Sequence, residues 1–149
     1  KPYMSIEPPS TGELQNILTS THSRKDLANY LDQHTVPDSA LSFSQTFQLL
    51  LDQHNLKKAD VIRDSNLDRT YAYQVLSGSR HPGRDKILAL GIAAGFSVKE
   101  IRRLLECASA AILYSRSSRD AVILYGIENR LNLMRINEML LEINEKIIE

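Results

Sequence analysis

The sequence holds one cysteine, Cys107, in 149 residues. That excludes an internal disulfide and any cysteine-cluster metal site. Cys107 falls among Ile101, Leu104, Leu105 and Ala108 at helical spacing, so it reads as a small core residue. Strand signals are lacking: alternating apolar runs are few and no Asn-Gly hairpin turn occurs. No apolar run approaches the roughly 18 residues that a membrane span needs. The opening KPYMSIEPPS has no apolar stretch of the signal-peptide kind, and Met4–Ser5 reads as a natural start with Lys1–Tyr3 as a remnant ahead of it. The four histidines His22, His34, His54 and His81 are dispersed, with no cysteine or paired carboxylates at metal spacing. No Gly-rich phosphate loop, nucleophile motif or acid–base carboxylate pair is evident, so neither an enzyme nor a cofactor is expected. No internal repeat or low-complexity tract is evident either. Hydrophobic and charged content, 42% and 24%, is ordinary for a globular chain, and the expected location is cytoplasmic.

Net charge is also lacking, with 18 basic against 18 acidic side chains. Taken whole, that argues against a polyanion as partner. The distribution argues for one. Leu56 to Arg103 holds ten basic and five acidic residues, whereas the chain before it holds three and six and the chain after it five and seven. A basic centre between acidic flanks suits contact with nucleic acid.

What is present is helical periodicity. STGELQNILTS opens with a capping-box pattern, Ser10 with Glu13, and Ser23 precedes a second helix, RKDLANYLDQH. TVPDSALS, with Pro37, reads as a linker. FSQTFQLLLDQHN carries the stripe Phe43, Phe47, Leu50 and Leu51, with Ser44 as a possible cap and Asn55 as the stop. KKADVIRDS and RTYAYQVLS are two short helices joined by NLD; Asp68 is the expected N-cap of the second and Gly78 its stop. After the loop GSRHPG, RDKILALGIAA runs to Gly95, and Ser97 caps VKEIRRLLECA. AAILYSRSS is a connector, its serines between arginines an ordinary loop. Two further helices follow, RDAVILYGIENRL and NLMRINEMLLEINEKII. The last has an apolar stripe of Leu133, Ile136, Met139, Leu140 and Ile143.

Two short helices and a tight turn in an all-helical unit make a helix-turn-helix. The major groove admits one helix and offers donors and acceptors on its base edges. Small Ala59 is expected to let the two helices approach. Val61, Ile62, Leu67, Ala72, Val75 and Leu76 are the expected packing residues. Arg69, Thr70, Tyr71, Tyr73 and Gln74 are left for the outside.

Phe43 to Leu105 resembles the DNA-binding domain of the lambda-repressor and Cro (XRE-type) family. Leu56, Ala59, Leu67, VLSG, SRHPG and ILALGIAAGFSVKEI carry the resemblance. It departs at Asn66, where Gly is frequent, and at Ile62, Tyr71 and Tyr73, which are bulkier than usual. The resemblance implies an all-α protein: a five-helix lambda-repressor-like domain over 41–109, with a helical extension over 1–40 and a helical pair over 110–149. It implies double-stranded DNA as partner, base contacts from Lys58, Arg69, Thr70, Tyr73 and Gln74, and phosphate contacts from Lys57, Ser79, Arg80 and Arg84. Arg to guanine and Gln to adenine are the expected pairings. Arg102 and Arg103 read as a solvated face.

Such proteins usually read two half-sites as dimers, so Ser118 to Ile147 is the first candidate for a homodimer contact, against a cap over the core. The expected function is a sequence-specific transcriptional regulator reading the major groove with helix 68–77. The alternatives are a protein-interaction adaptor or an antitoxin-like module with the same fold. The adaptor should fail when Leu133 or Leu140 is made charged.

Overall fold

The computed structural model describes Arg24, Leu27 and residues 39–149; the expected helices over 10–20 and 23–34 lie almost wholly outside those residues. Seven helices and no strand occur among the described residues. They are α1 (Ser39–Gln53), α2 (Lys58–Ser65), α3 (Arg69–Ser77), α4 (Arg84–Ala93), α5 (Val98–Cys107), α6 (Ser118–Glu128) and α7 (Leu133–Glu142). No described helix is long and apolar enough to cross a membrane.

Among the described residues one connection is used four times. A residue in the left-handed region is followed by an apolar residue and then by the N-cap of the next helix. The series is Asn55–Leu56–Lys57, Asn66–Leu67–Asp68, Gly95–Phe96–Ser97 and Arg130–Leu131–Asn132. The left-handed residue stops the helix, and the apolar residue turns its amide back onto the helix just left. Leu56, Phe96 and Leu131 donate to the carbonyls of Leu51, Gly91 and Gly126 at 2.9–3.1 Å. Ser97 and Glu100 complete a capping box, and Asp68 accepts from the Tyr71 N–H at 2.9 Å, as the sequence suggests.

Two local expectations are corrected. Ser44 does not cap α1; the helix starts at Ser39 and Ser44 is a buried residue within it. Ala40 and Leu41 are good helix formers, so the helix runs back through the expected linker. Ala59 is exposed and does not mediate the helix contact. The buried face of α2 is Val61, Ile62 and Ser65, and Ala59 lies off that stripe. Cys107 is half-buried, its Sγ 3.4 Å from Thr46 Oγ1.

The core is continuous from Phe43 to Ile148. α1 packs on α3 and α5, α2 on α3 and α4, and α4 on α5. The C-terminal pair belongs to the same compact unit. Of its apolar stripe, Leu133, Ile136 and Leu140 are buried in that core, Met139 is half-buried and Ile143 is exposed. The stripe thus acts mainly as an intramolecular cap.

The structure also contains an internal repeat, which the sequence reading missed. Residues 84–114 and 119–149 correspond with a shift of 35 positions. Arg84–Asp85, Gly91–Ile92, Ile101, Leu105 and Ile112 recur as Arg119–Asp120, Gly126–Ile127, Ile136, Leu140 and Ile147. The geometry recurs with them. Arg84 Nε donates to the Ala111 carbonyl and Arg119 Nε to the Lys146 carbonyl, both at 2.8 Å. Their Nη2 atoms donate to Ile112 and Ile147 at 3.1 and 3.0 Å. The ion pairs cross between the copies: Arg84 meets Asp120 at 2.7 Å and Arg119 meets Asp85 at 2.9 Å. The packing crosses likewise, with α4 on α7 and α5 on α6. The two helical hairpins are therefore exchanged by a local pseudo-two-fold relation. Seven identities scattered over such a span carry little signal without the geometry.

Candidate nucleic-acid interface

The five residues expected to contact bases come together on one surface. Lys58 from α2 and Arg69, Thr70, Tyr73, Gln74 and Ser77 from α3 line one shallow, open concavity. What aims α3 is its short join to α2. Ser65 is buried between the helices; its hydroxyl donates to the Ile62 carbonyl at 2.7 Å and accepts from the Leu67 N–H at 3.3 Å. Asn66 takes the left-handed conformation at φ 59°, which Asn tolerates better than most residues. Ala72, Val75 and Leu76 anchor the inner face of α3, and Gly78 ends it at φ 87°. Ser65 was not recognised from the sequence. A serine in an apolar stripe gives no local sign that it fixes a turn.

The outer face is a mixture of free and packed groups. Arg69 and Thr70 are exposed, whereas Tyr71, Tyr73 and Gln74 are half-buried. Both tyrosine rings rest against the core and also hold cations. The Arg69 guanidinium lies 5.7 Å from the Tyr73 ring centroid. The Tyr71 ring carries Arg80 at 5.2 Å and Lys86 at 6.0 Å. Such contacts position a cation without neutralising it. Arg80 also touches Gln74 Oε1 at 3.4 Å, a long bond. Ser79 donates its hydroxyl and its amide to the Gln74 carbonyl.

Lys57, Lys58, Arg69, Arg80 and Lys86 have no ion pair among the described residues. Arg63, on the far side of α2, is held by Asp60 and Asp64, and its pKa is raised by the Asp64 hydrogen bond first. Lys86 was not singled out from the sequence; only the shared Tyr71 ring places it beside Arg80.

Arg84 differs from the other expected phosphate contacts. Four of its five guanidinium N–H donors are engaged, by Asp120 and the carbonyls of Ala111 and Ile112. Burial pushes the Asp120 carboxyl up. The Arg84 hydrogen bonds, the Tyr114 N–H and the charges of Arg84 and Arg119 outweigh that and hold it below its ordinary value. Ser117 caps α6 in this cluster, accepting from the Asp120 N–H at 3.3 Å. His54 pairs with Glu100 at 2.8 Å, at the foot of α5. No group of three or more His, Cys, Asp or Glu side chains is placed to hold a metal among the described residues. No family model, curated protein or solved structure matches this chain.

Proposed function

We propose that the protein is a cytoplasmic, sequence-specific transcriptional regulator that binds double-stranded DNA. In this reading α1–α5 form a lambda-repressor-like five-helix domain, and α2 and α3 are its helix-turn-helix. The observation that supports it best is the outward concavity of Lys58, Arg69, Thr70, Tyr73 and Gln74, set among cations that no carboxylate neutralises among the described residues. A stable fold gains nothing from crowding those groups on one short helix; a groove lined with base edges does.

The mechanism follows from the geometry. Lys57, Arg80 and Lys86 meet phosphates and bring the protein into register, with Ser79 as a neutral donor. Arg84 is left out of this set because Asp120 neutralises it and four of its five N–H donors are already engaged. Arg69 then offers a bidentate fork to guanine. Gln74 leaves its long contact with Arg80 and pairs with adenine, with Lys58, Thr70 and Tyr73 beside them. The test is fluorescence anisotropy with a mixed-sequence duplex across a salt series. A steep loss of affinity with salt, about one unit of slope per phosphate contact, is expected. Salt-independent or absent binding would overturn the reading.

A second reading, a protein-interaction adaptor or antitoxin-like module, draws on the exposed Tyr125, Met134, Leu141 and Ile143 of the C-terminal hairpin. The same patch is where a homodimer would meet, since Leu133 and Leu140 are already in the core. Charging Leu133 or Leu140 would unfold the protein in either reading. Met134→Glu and Leu141→Glu are the informative substitutions: the adaptor loses its partner, and the regulator keeps its DNA affinity per half-site.

A further inference from the structure

The four-helix assembly of α4–α7 leaves a cleft of 420 Å³ between its two interhelical turns. That volume lies within the usual range of small-ligand sites, about 300–1,000 Å³. Its walls are corresponding residues of the two repeats. Ile92 and Phe96 come from the first, and their counterparts Ile127 and Leu131 from the second. The cleft therefore sits where the pseudo-two-fold relation brings the turns together.

Its charges break that symmetry. The second turn contributes Glu128 and Arg130, where the first has Ala93 and Gly95. Both charged residues are exposed, and neither side chain has an ion pair or hydrogen bond among the described residues, including with the other. Arg130 sits at φ 56°, the left-handed region that the sister turn fills with Gly95 at φ 73°. A long β-substituted side chain is a costly choice there. Two opposite charges that line one cleft of mixed polar and apolar walls and leave each other unpaired complement a ligand carrying both.

We propose that this cleft binds a small zwitterion with an apolar body, the chemistry of a free apolar amino acid. Arg130 receives the carboxylate and Glu128 the ammonium. Ile92, Phe96, Ile127 and Leu131 enclose the side chain. The proposal is independent of DNA binding.

The test is calorimetric titration of the full chain with L-leucine, L-phenylalanine and two half-charged analogues of leucine, 4-methylpentanoate and isopentylamine. One of the amino acids is expected to bind, with each analogue of leucine weaker by about tenfold or more, roughly 1.4 kcal/mol per decade. Arg130→Gly reproduces the sister turn and relieves the backbone, so it should keep the melting temperature while abolishing binding. Arg103→Gln, on the outer face of α5, should bind as the parent does. Absence of binding by both amino acids, equal binding of either analogue, or undiminished binding by a folded Arg130→Gly variant would each overturn the proposal.

Discussion

Arg84 and Asp120 meet at 2.7 Å with only 8% of the Asp120 side chain exposed, and this pair closes the first helical hairpin onto the second. Removing one partner of a buried pair leaves the other charge uncompensated. Arg84 keeps its two carbonyl partners and a quarter of its surface in water, so the penalty falls below that of a fully buried pair. Asp120→Asn should destabilise the fold by about 2–3 kcal/mol in urea unfolding. Asp85→Asn, in the reciprocal pair, should cost a similar amount. A loss of only a few tenths would show that the carbonyl contacts alone hold the hairpins.

The same carboxylate sets an acid limit. The Asp120 carboxyl is held below its ordinary value in the folded chain, so the unfolded chain takes up a proton first as pH falls. Its contribution is complete above the ordinary carboxylate range and is lost as pH drops through the folded value, from about pH 4 downward. Glu100 adds in the same direction. Burial raises it, but the Ser97 amide and His54 more than offset this. Urea midpoints measured from pH 6 to pH 3 should fall steeply for the parent and more gently for Asp120→Asn. Parallel curves would remove Asp120 from the account.

On DNA, the two classes of contact should separate. Arg69→Ala is expected to cost about 1–3 kcal/mol and to relax preference at one base pair. Arg80→Ala should weaken all sequences alike and reduce the salt slope by about one. Arg84→Ala should lower the melting temperature instead, with no change of slope in the folded fraction. A reduced slope for Arg84→Ala would return that residue to the phosphate set.

The two glycines of the repeat mark close approaches. A Cβ on Gly91 would lie 2.8 Å from Ile101 Cγ1. One on Gly126 would press still harder on Ile136, whose Cδ1 is 2.6 Å away. Both isoleucines are fully buried, so any shift to make room would press on packed neighbours. Gly126→Ala should cost about 1–3 kcal/mol by overpacking, and Gly91→Ala somewhat less. Chemical denaturation checks the order; a stabilised Gly126→Ala would contradict the tight packing.

What was legible in the sequence was local. Asp68, Gly78 and Ser97 declare themselves because a cap is decided within a few residues. Of the set expected outside on α3, Arg69 and Thr70 are exposed as one helical period suggests, whereas Tyr71 and Tyr73 pack partly against the core. Ser65 goes unmarked and Ala59 is misplaced because small residues carry little periodic information, so the turn-fixing serine and the exposed alanine look alike. Arg84 is expected from the resemblance to contact phosphate; its actual partner lies 36 residues away, and nothing in the local pattern marks it. The repeat stayed hidden for the same reason: its identities fall at contact points, and contact points are adjacent only in the folded chain.

The reciprocal clasp has a topological consequence. Its two halves are joined by a single connector between α5 and α6, and each half presents the same arginine–aspartate end to the other. A hairpin from a neighbouring molecule would find that end equally complementary. The connector length thus decides whether the clasp closes within one chain or between two. Trimming a few residues between Ala110 and Arg116 should convert the protein to a hairpin-exchanged dimer, recognisable by its doubled mass in light scattering and its concentration-dependent unfolding. A trimmed chain that stayed folded with the untrimmed protein's mass would show that the connector has slack to spare.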